Sequence, residues 1–146
     1  MQVTREFSFE AAHMLSGYEG PCSNLHGHSY KLQVTLVGRV QQCPKASDDM
    51  MLMDFKDMKH IVEREVIKRL DHAVIFSDST HRDESEECLY RWAVAHKKRH
   101  IVLPWRCTAE SIAEYIRVAL KRAFEDTGAQ DVKIRLWETA NSSVEV

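Results

Sequence analysis

The chain has 146 residues, of which 44% are hydrophobic and 29% charged, a composition ordinary for a soluble globular protein. Its formal charge of −2 provides no long-range attraction to nucleic acid or an anionic membrane, and no apolar run approaches the ~20 residues of a membrane helix. We expect a single domain, residues 1–146, because this length supports one core and is short for two.

The N-terminus and the cysteines together predict a cytoplasmic protein. Residues 1–13 carry charges at Arg5 and Glu10 and lack the apolar segment of a signal peptide, so nothing there marks the chain for export. The cysteines form no CxxC pair and no tight framework, which is typical of reduced thiols rather than disulfides. They are Cys22, Cys43, Cys88 and Cys107.

Alternation with a period of two predicts two strands near the N-terminus. One face of the first strand carries Phe7, Phe9, Ala11 and His13. The second strand begins near His26, and one of its faces carries Tyr30, Leu32, Val34 and Leu36. A loop rich in glycine separates the strands, which we expect to pair as an antiparallel hairpin.

Two helices and a last strand follow. Asp54 is a predicted N-cap for a helix of about four turns, and Thr108 is a predicted N-cap for a second helix. Residues 77–104 show little periodicity, although LYRWAVAH suggests a short helix. The last strand places Glu138 on one face with three apolar residues, Val132, Ile134 and Leu136. The order predicts an α+β fold, an antiparallel sheet with two helices packed on one face.

Three histidines in this pattern predict a metal site. His26 and His28 share one face because side chains two apart on a strand point the same way. In an antiparallel hairpin, His13 at the exit of the first strand lies beside the entry of the second. Three imidazoles then converge and leave one tetrahedral position open, which is the pattern of a catalytic zinc. Gly27 between two of them allows a close backbone approach.

Other polar residues are ambiguous from their patterns alone. Cys22 lies just upstream of His26, where a nearby cation lowers a thiol pKa, so it is a base or nucleophile, a fourth zinc ligand, or a loop thiol. The pair Asp71-His72 is either an oriented proton relay or a helix C-terminus. Glu138 is either a strand-end carboxylate in solvent or a bidentate acceptor for a ligand.

The chain resembles the tunnelling-fold pterin enzymes, the 6-pyruvoyltetrahydropterin and 6-carboxytetrahydropterin synthases. The matching segments, in order, are FSFEAAH, CSNLHGHSYKLQVTL, MDF, LDH, TAESIAEYI and WET. They span residues 7–139, and the short gap between Cys22 and His26 is similar to the 6-carboxy branch. Two departures stand out: residues 77–104 are longer and more charged than the family pattern, and Cys107 occupies a usual proline position.

The resemblance implies a role for each candidate residue. Cys22 is implied as the general base, with His72 and Asp71 as its relay, either within one subunit or across a subunit boundary. Glu138 is implied as the pterin anchor and Thr108 as a further pterin contact, for which the alternative is that it serves only as the N-cap. The ligand set implied for Zn²⁺ is His13, His26 and His28.

The resemblance also implies an activity and an assembly. The activity is cleavage of 7,8-dihydroneopterin triphosphate to 6-carboxy-5,6,7,8-tetrahydropterin, with loss of triphosphate and acetaldehyde, on the route to queuosine. The assembly is a homohexamer of two stacked trimeric rings with active sites between subunits. Two alternatives stay open: a 6-pyruvoyltetrahydropterin synthase, which eliminates triphosphate without carbon loss, and a zinc- or pterin-binding module without catalysis.

Overall fold

A six-stranded mixed sheet forms the centre of the computed structural model, which describes all 146 residues. In chain order the strands are β1 (Gln2–His13), β2 (His26–Gly38), β3 (Ala73–Phe76), β4 (His100–Val102), β5 (Ala129–Thr139) and β6 (Ser142–Glu145). Their order across the sheet is β4-β3-β1-β2-β5-β6. Because β1 and β2 are the longest strands and lie at the centre, they set the position of every other element.

The predicted antiparallel arrangement is confirmed for the three expected strands, which are β1, β2 and β5, and needs a correction for two of the three further strands. β1 pairs with β2, β2 with β5, and β5 with β6, all antiparallel. β3 pairs in parallel with β1, and β4 pairs in parallel with β3. These two strands have only four and three residues, too few for an alternating pattern to indicate strand pairing or direction.

Three helices accompany the sheet, one more than the two expected. Helix α1 is α-helical over Phe55–Val62, passes through a π-helical stretch at Glu63–Ile67 and ends with Lys68–Leu70. Helix α2 is Glu84–Ala95 and helix α3 is Ala109–Ala123. Helix α2 covers the LYRWAVAH segment up to Ala95, where the sequence suggests a short helix, and extends back to Glu84 through the acidic run that shows no clear period.

Both predicted N-caps are present. The Asp54 carboxylate accepts a hydrogen bond from the Lys56 backbone N–H at 2.7 Å, and the Thr108 hydroxyl oxygen accepts one from Ser111 N–H at 3.3 Å. Each bond satisfies a helical N–H group that has no partner within the helix. The two helices therefore begin where the sequence predicts.

The core lies between one face of the sheet and helices α1 and α3. Phe9 of β1 stacks on Tyr30 of β2 with ring centroids 5.0 Å apart, and both residues are almost fully buried. Helix α1 contributes Met58, Val62, Val66 and Leu70, and helix α3 contributes Ile112, Ile116 and Leu120. The α+β class, with α1 and α3 packed on one sheet face, is thus as expected. No helix in the structure has the length and apolar character needed to cross a bilayer.

Candidate metal centre and active site

The end of the β1–β2 hairpin brings three histidines together. His13 is the last residue of β1 and pairs directly with His26, the first residue of β2. His28 lies two residues further along β2, on the same face as His26 and the buried Tyr30. The convergence expected from strand parity is confirmed.

The three imidazoles are close enough to share one ion. Their ring centroids lie 4.6 Å apart for His13 and His26, 5.3 Å for His13 and His28, and 4.9 Å for His26 and His28. One ligand atom from each ring lies within 4.8 Å of the other two. Small side-chain movements bring such a set to the zinc–nitrogen distance of about 2.0–2.1 Å.

Backbone carbonyl groups select the tautomers of two of these histidines. His13 Nδ1 lies 2.7 Å from the Cys107 carbonyl oxygen, and His26 Nδ1 lies 2.8 Å from the Asn24 carbonyl oxygen. A carbonyl oxygen only accepts, so each Nδ1 carries the proton and each Nε2 keeps a free lone pair. This is the outer-shell arrangement that metal-ligating histidines require.

The Nε2 atoms of the three histidines are all buried and have no hydrogen-bond partner in the protein. A buried polar atom without a partner costs free energy, so three together indicate a bound group. Burial also lowers the pKa of His13 and of His28 below the usual range, which favours the neutral form that binds metal. The donor set fits Zn²⁺ in the three-histidine pattern of catalytic sites.

Glu138 lies directly beside the histidines. It follows Leu136 on the core-facing side of β5, and its Oε1 is 3.5 Å from His13 Nε2 and 3.6 Å from His28 Nε2. Its side chain remains 27% exposed, so the carboxylate is accessible at the edge of the site. Burial and the nearby Glu138 charge raise the pKa of Tyr30, whose hydroxyl therefore stays protonated beneath the site. Glu138 therefore lies at the end of β5, partly buried against the histidines rather than surrounded by solvent.

Cys22 is close to the histidines in sequence and is not part of their cluster. It lies half-buried in a 3₁₀ turn, Pro21–Ser23, that leads into β2. The Leu15 backbone N–H donates to the Cys22 carbonyl oxygen at 2.9 Å, which ties this turn to the segment that follows His13. The set of convergent ligand atoms contains His13, His26 and His28 without Cys22.

Asp71 and His72 follow helix α1 and contact each other. Asp71 Oδ2 is 3.0 Å from His72 Nδ1, so the predicted orientation of the imidazole by its neighbour is present. Glu10 N–H donates to Asp71 Oδ1 at 2.9 Å and holds the carboxylate against β1. His72 has a φ of 60°, in the left-handed region that residues other than glycine occupy mainly in turns and functional sites.

The Asp71–His72 pair is directed toward solvent within the protomer. The His72 side chain is 75% exposed, and no hydrogen bond joins it to Cys22 or to the three histidines. His28 pairs with Ala11, which pairs with Ala73 on β3, so strand β1 separates the two histidines within the sheet. Within one protomer, therefore, no hydrogen bond connects the predicted Asp71–His72 relay to the Cys22 thiol.

Thr108 is the N-cap of helix α3, which agrees with the structural alternative considered for it. Its hydroxyl group bonds to the Ser111 N–H and lies 3.3 Å from the Ser111 hydroxyl oxygen. The preceding residue, Cys107, accepts the hydrogen bond from His13. The start of helix α3 therefore borders the site, although Thr108 itself makes no contact with the histidines.

Sequence patterns missed the polar groups behind His13. Cys107 is fully buried and its carbonyl orients the His13 ring, while Glu86 of helix α2 is fully buried beside it. Cys107 was visible only as a departure from a family pattern, and Glu86 was one acid in an acidic run. Neither position carries a local signal, because both contacts join residues distant in the chain.

The comparisons with known proteins identify the family of this chain. The chain belongs to the 6-pyruvoyl tetrahydropterin synthase family, whose model matches residues 2–146. A curated relative from Haemophilus influenzae, a 6-carboxy-5,6,7,8-tetrahydropterin synthase, is 37% identical over 144 residues, covering 99% of this chain and 96% of the relative. A relative of the same name from Rickettsia bellii is 29% identical over 149 residues, covering 100% of this chain and 99% of the relative.

Solved structures share the fold. A 6-pyruvoyl tetrahydropterin synthase from Plasmodium falciparum has a TM-score of 0.71 at 24% identity and is matched over 96% of its chain. An uncharacterized protein from Wolinella succinogenes has a TM-score of 0.74 at 20% identity and is matched over 97% of its chain. Both alignments cover 100% of this chain, so the tunnelling fold extends over its whole length.

Proposed function

We propose that this chain converts 7,8-dihydroneopterin triphosphate into 6-carboxy-5,6,7,8-tetrahydropterin and releases triphosphate and acetaldehyde, in the cytoplasmic route to queuosine. The observation that carries the proposal is the set of three buried Nε2 atoms without partners, in a chain 37% identical to a named enzyme of this activity. Mass balance requires that one water is consumed. We treat residues 1–146 as a single pterin-synthase-like domain.

The proposed zinc ligands are His13, His26 and His28, of which His13 and His26 have their Nδ1 protons engaged by backbone carbonyl groups. When bound, zinc supplies a Lewis acid that acidifies C–H and O–H bonds of the substrate side chain. The deep position of His13 at 1% exposure supports a site that excludes bulk water from one side. The remaining chemistry belongs to the protein's own side chains.

Cys22 is the proposed base that moves protons on the substrate side chain. Cys22 lies half-buried in the turn Pro21–Ser23, a short distance before His26 at the start of β2, which supports a thiol held near the reacting carbon atoms. His72, oriented by Asp71, is the proposed relay that exchanges this proton with solvent. Its 75% exposure supports exchange with water and contact with another subunit.

Glu138 is the proposed group that holds the pterin ring. A carboxylate accepts both the 2-amino group and the N3–H of a pterin in bidentate fashion, which fixes the ring relative to the metal. Its partial exposure and its Oε1 atom 3.5 Å from His13 Nε2 support a ligand held between solvent and the metal centre. Thr108, at the adjacent start of helix α3, is a secondary contact in this proposal.

A 6-pyruvoyltetrahydropterin synthase is the second candidate, because the family description carries that name. The deciding experiment incubates the zinc-loaded protein with 7,8-dihydroneopterin triphosphate and identifies the pterin and the volatile product. We expect acetaldehyde and a carboxylated tetrahydropterin in equal amounts. Triphosphate release without acetaldehyde would identify the second candidate instead.

The variant Cys22→Ala is the control for catalysis as opposed to binding alone. We expect this variant to retain zinc and to lose most turnover, because the thiol is the proposed base and not a ligand. Turnover at the parent rate would refute the catalytic assignment of Cys22. A wild-type protein that binds the pterin and forms no product would be the non-catalytic module.

A further inference from the structure

Helix α2 carries a carboxylate that the proposed reaction does not use. The Glu86 side chain is fully buried, although it lies in the first turn of the helix beside two other glutamates, Glu84 and Glu87. No lysine, arginine or histidine forms a salt bridge with it, whereas Glu87 pairs with arginines. Burial of a carboxylate without a counter-ion costs free energy, which the hydrogen bonds to Glu86 must offset.

The Glu86 carboxylate bonds to two separate segments near His13. The Ser77 backbone N–H, just past β3, donates to Glu86 Oε1 at 2.7 Å. The Ser16 hydroxyl group, three residues past His13, donates to Glu86 Oε2. Since one oxygen serves each segment, the carboxylate links the exit of β1 to the exit of β3.

The first branch continues from Ser77 to the carbonyl that orients His13. Ser77 Oγ accepts the Cys107 backbone N–H at 3.2 Å, and the Cys107 thiol donates to the Met14 carbonyl oxygen at 2.9 Å. The Cys107 carbonyl oxygen accepts from His13 Nδ1 at 2.7 Å.

The second branch holds the loop between His13 and Cys22. Asp83, the N-cap of helix α2, accepts the Gly17 backbone N–H at 3.2 Å, next to the Ser16–Glu86 bond. The same loop is joined to Cys22 through the Leu15 N–H. The first turn of helix α2 and its N-cap therefore hold Ser16 and Gly17, near the start of the loop that runs from His13 to the thiol.

We propose that Glu86 is a positioning residue for the metal centre: through Ser77 and Cys107 it fixes the tautomer and orientation of His13. The inference rests on the proposed metal site of the histidines. It also assigns a role to the charged segment 77–104, which departs from the family pattern. Outer-shell partners of this kind alter metal affinity by about 10–100-fold when removed.

The test compares Glu86→Gln, Glu86→Leu and Ser77→Ala with the matched control Glu84→Gln, an exposed glutamate of the same helical turn. Gln keeps an acceptor for the Ser77 N–H, Leu removes both bonds, and Ser77→Ala breaks the link to Cys107 without touching the buried charge. The first measurement is zinc affinity by chelator competition. We expect the dissociation constant to rise about 10–100-fold for Leu, less for Gln, and not at all for the control.

The second measurement needs no metal. Nitrogen-15 NMR of the zinc-free protein reports which nitrogen of His13 carries the proton. We expect the Nδ1–H form in the parent and the control, and a mixture of tautomers in Glu86→Leu and Ser77→Ala. Circular dichroism and thermal unfolding of each variant separate this effect from a loss of folding.

Unchanged zinc affinity and an unchanged His13 tautomer in folded Glu86→Leu and Ser77→Ala would overturn the proposal, even if thermal stability falls. A fall in thermal stability without a change in zinc affinity or in the His13 tautomer would mean that Glu86 has only a structural role. If the parent protein binds no zinc, the proposed metal function fails, and the tautomer in the zinc-free variants still decides the role of Glu86. The Ser77→Ala variant keeps the test decisive if Glu86→Leu does not fold.

Discussion

At the scale of single residues, the site depends on which nitrogen of each histidine is free. The backbone carbonyl groups of Cys107 and Asn24 occupy Nδ1 of His13 and His26, and this leaves both Nε2 atoms directed into one buried space. The carbonyl groups are provided by the main chain, so no side-chain motif records them. The sequence alone singles out the three histidines as candidate ligands. Which ring nitrogen carries the proton is seen only in the structure.

Replacing His26 by alanine should remove the metal. The loss of one of three ligands is expected to weaken zinc binding more than the roughly 100-fold effect of outer-shell changes. Elemental analysis after gel filtration should find zinc in the parent and almost none in His26→Ala. The control is His60→Ala, an exposed histidine on helix α1. Equal zinc content in parent and His26→Ala would exclude the histidine site.

At the scale of elements, the end of helix α1 is tied to the edge of β1. Asp71 accepts the Glu10 backbone N–H, and the His72 N–H donates to the Glu10 carbonyl oxygen at 2.6 Å. These bonds set the direction in which β3 leaves the helix and joins β1 in parallel. The Glu10 N–H, and then the contact with His72, keep the pKa of Asp71 below its ordinary value of 3.8.

The variant Asp71→Asn should destabilise the zinc-free protein at neutral pH. A lowered carboxylate pKa contributes stability that is present above the ordinary value and is lost as pH falls through the lowered pKa. We expect a loss in the free energy of unfolding of less than about 1 kcal/mol at pH 7, because the group is partly exposed. Urea unfolding measures this difference at several pH values.

The difference between parent and Asp71→Asn should shrink below the ordinary pKa of 3.8. At such pH the parent carboxyl is increasingly protonated and resembles the amide. Asp48→Asn, at an exposed aspartate in the loop before helix α1, is the control and should change little. A difference that stays constant into acid would show that charge is not the cause.

At the scale of the whole molecule, the outward face of strands β1 and β2 remains exposed. The outward residues of β1 and β2 are exposed polar residues such as Thr4, Glu6, Ser29 and Lys31, while the opposite face forms the core. The edge strands β4 and β6 have only three and four residues. This surface and the solvent-directed His72 are consistent with the proposed hexamer, in which sites form between subunits.

Mixed assemblies of two inactive variants should regain activity. If Cys22 and His72 of one site come from different subunits, random hexamers of Cys22→Ala and His72→Ala contain both intact residues at about a quarter of their sites. We expect about that share of the parent turnover from co-expressed, doubly tagged assemblies. The mass of the parent in solution should be that of six chains.

The matched control mixes Cys22→Ala with His26→Ala. Both residues precede or begin β2 of one chain, so no intact site forms in this mixture and activity should stay absent. Activity in the control would mean that Cys22 and His26 of one site also come from different subunits. No recovery in the Cys22→Ala and His72→Ala mixture would place the relay within one protomer or outside the reaction.

The sequence by itself determined the features that depend on local periodicity. Strand parity is a property of neighbouring residues, so it correctly placed His26 and His28 on one face and His13 beside them. The N-caps Asp54 and Thr108 were predictable for the same reason, because a cap bonds within its own first turn. The antiparallel pairs of β1, β2 and β5 followed from long alternating strands.

Only the tertiary structure decided the features that join distant segments. The parallel strands β3 and β4 are too short to show a period, and their direction follows from the crossovers around them. Glu86, Ser77 and Cys107 meet behind His13 although up to 94 residues separate the bonded partners. The physical reason is that a buried carboxylate is stabilised by whichever donors the fold brings to it, and these have no fixed spacing along the chain.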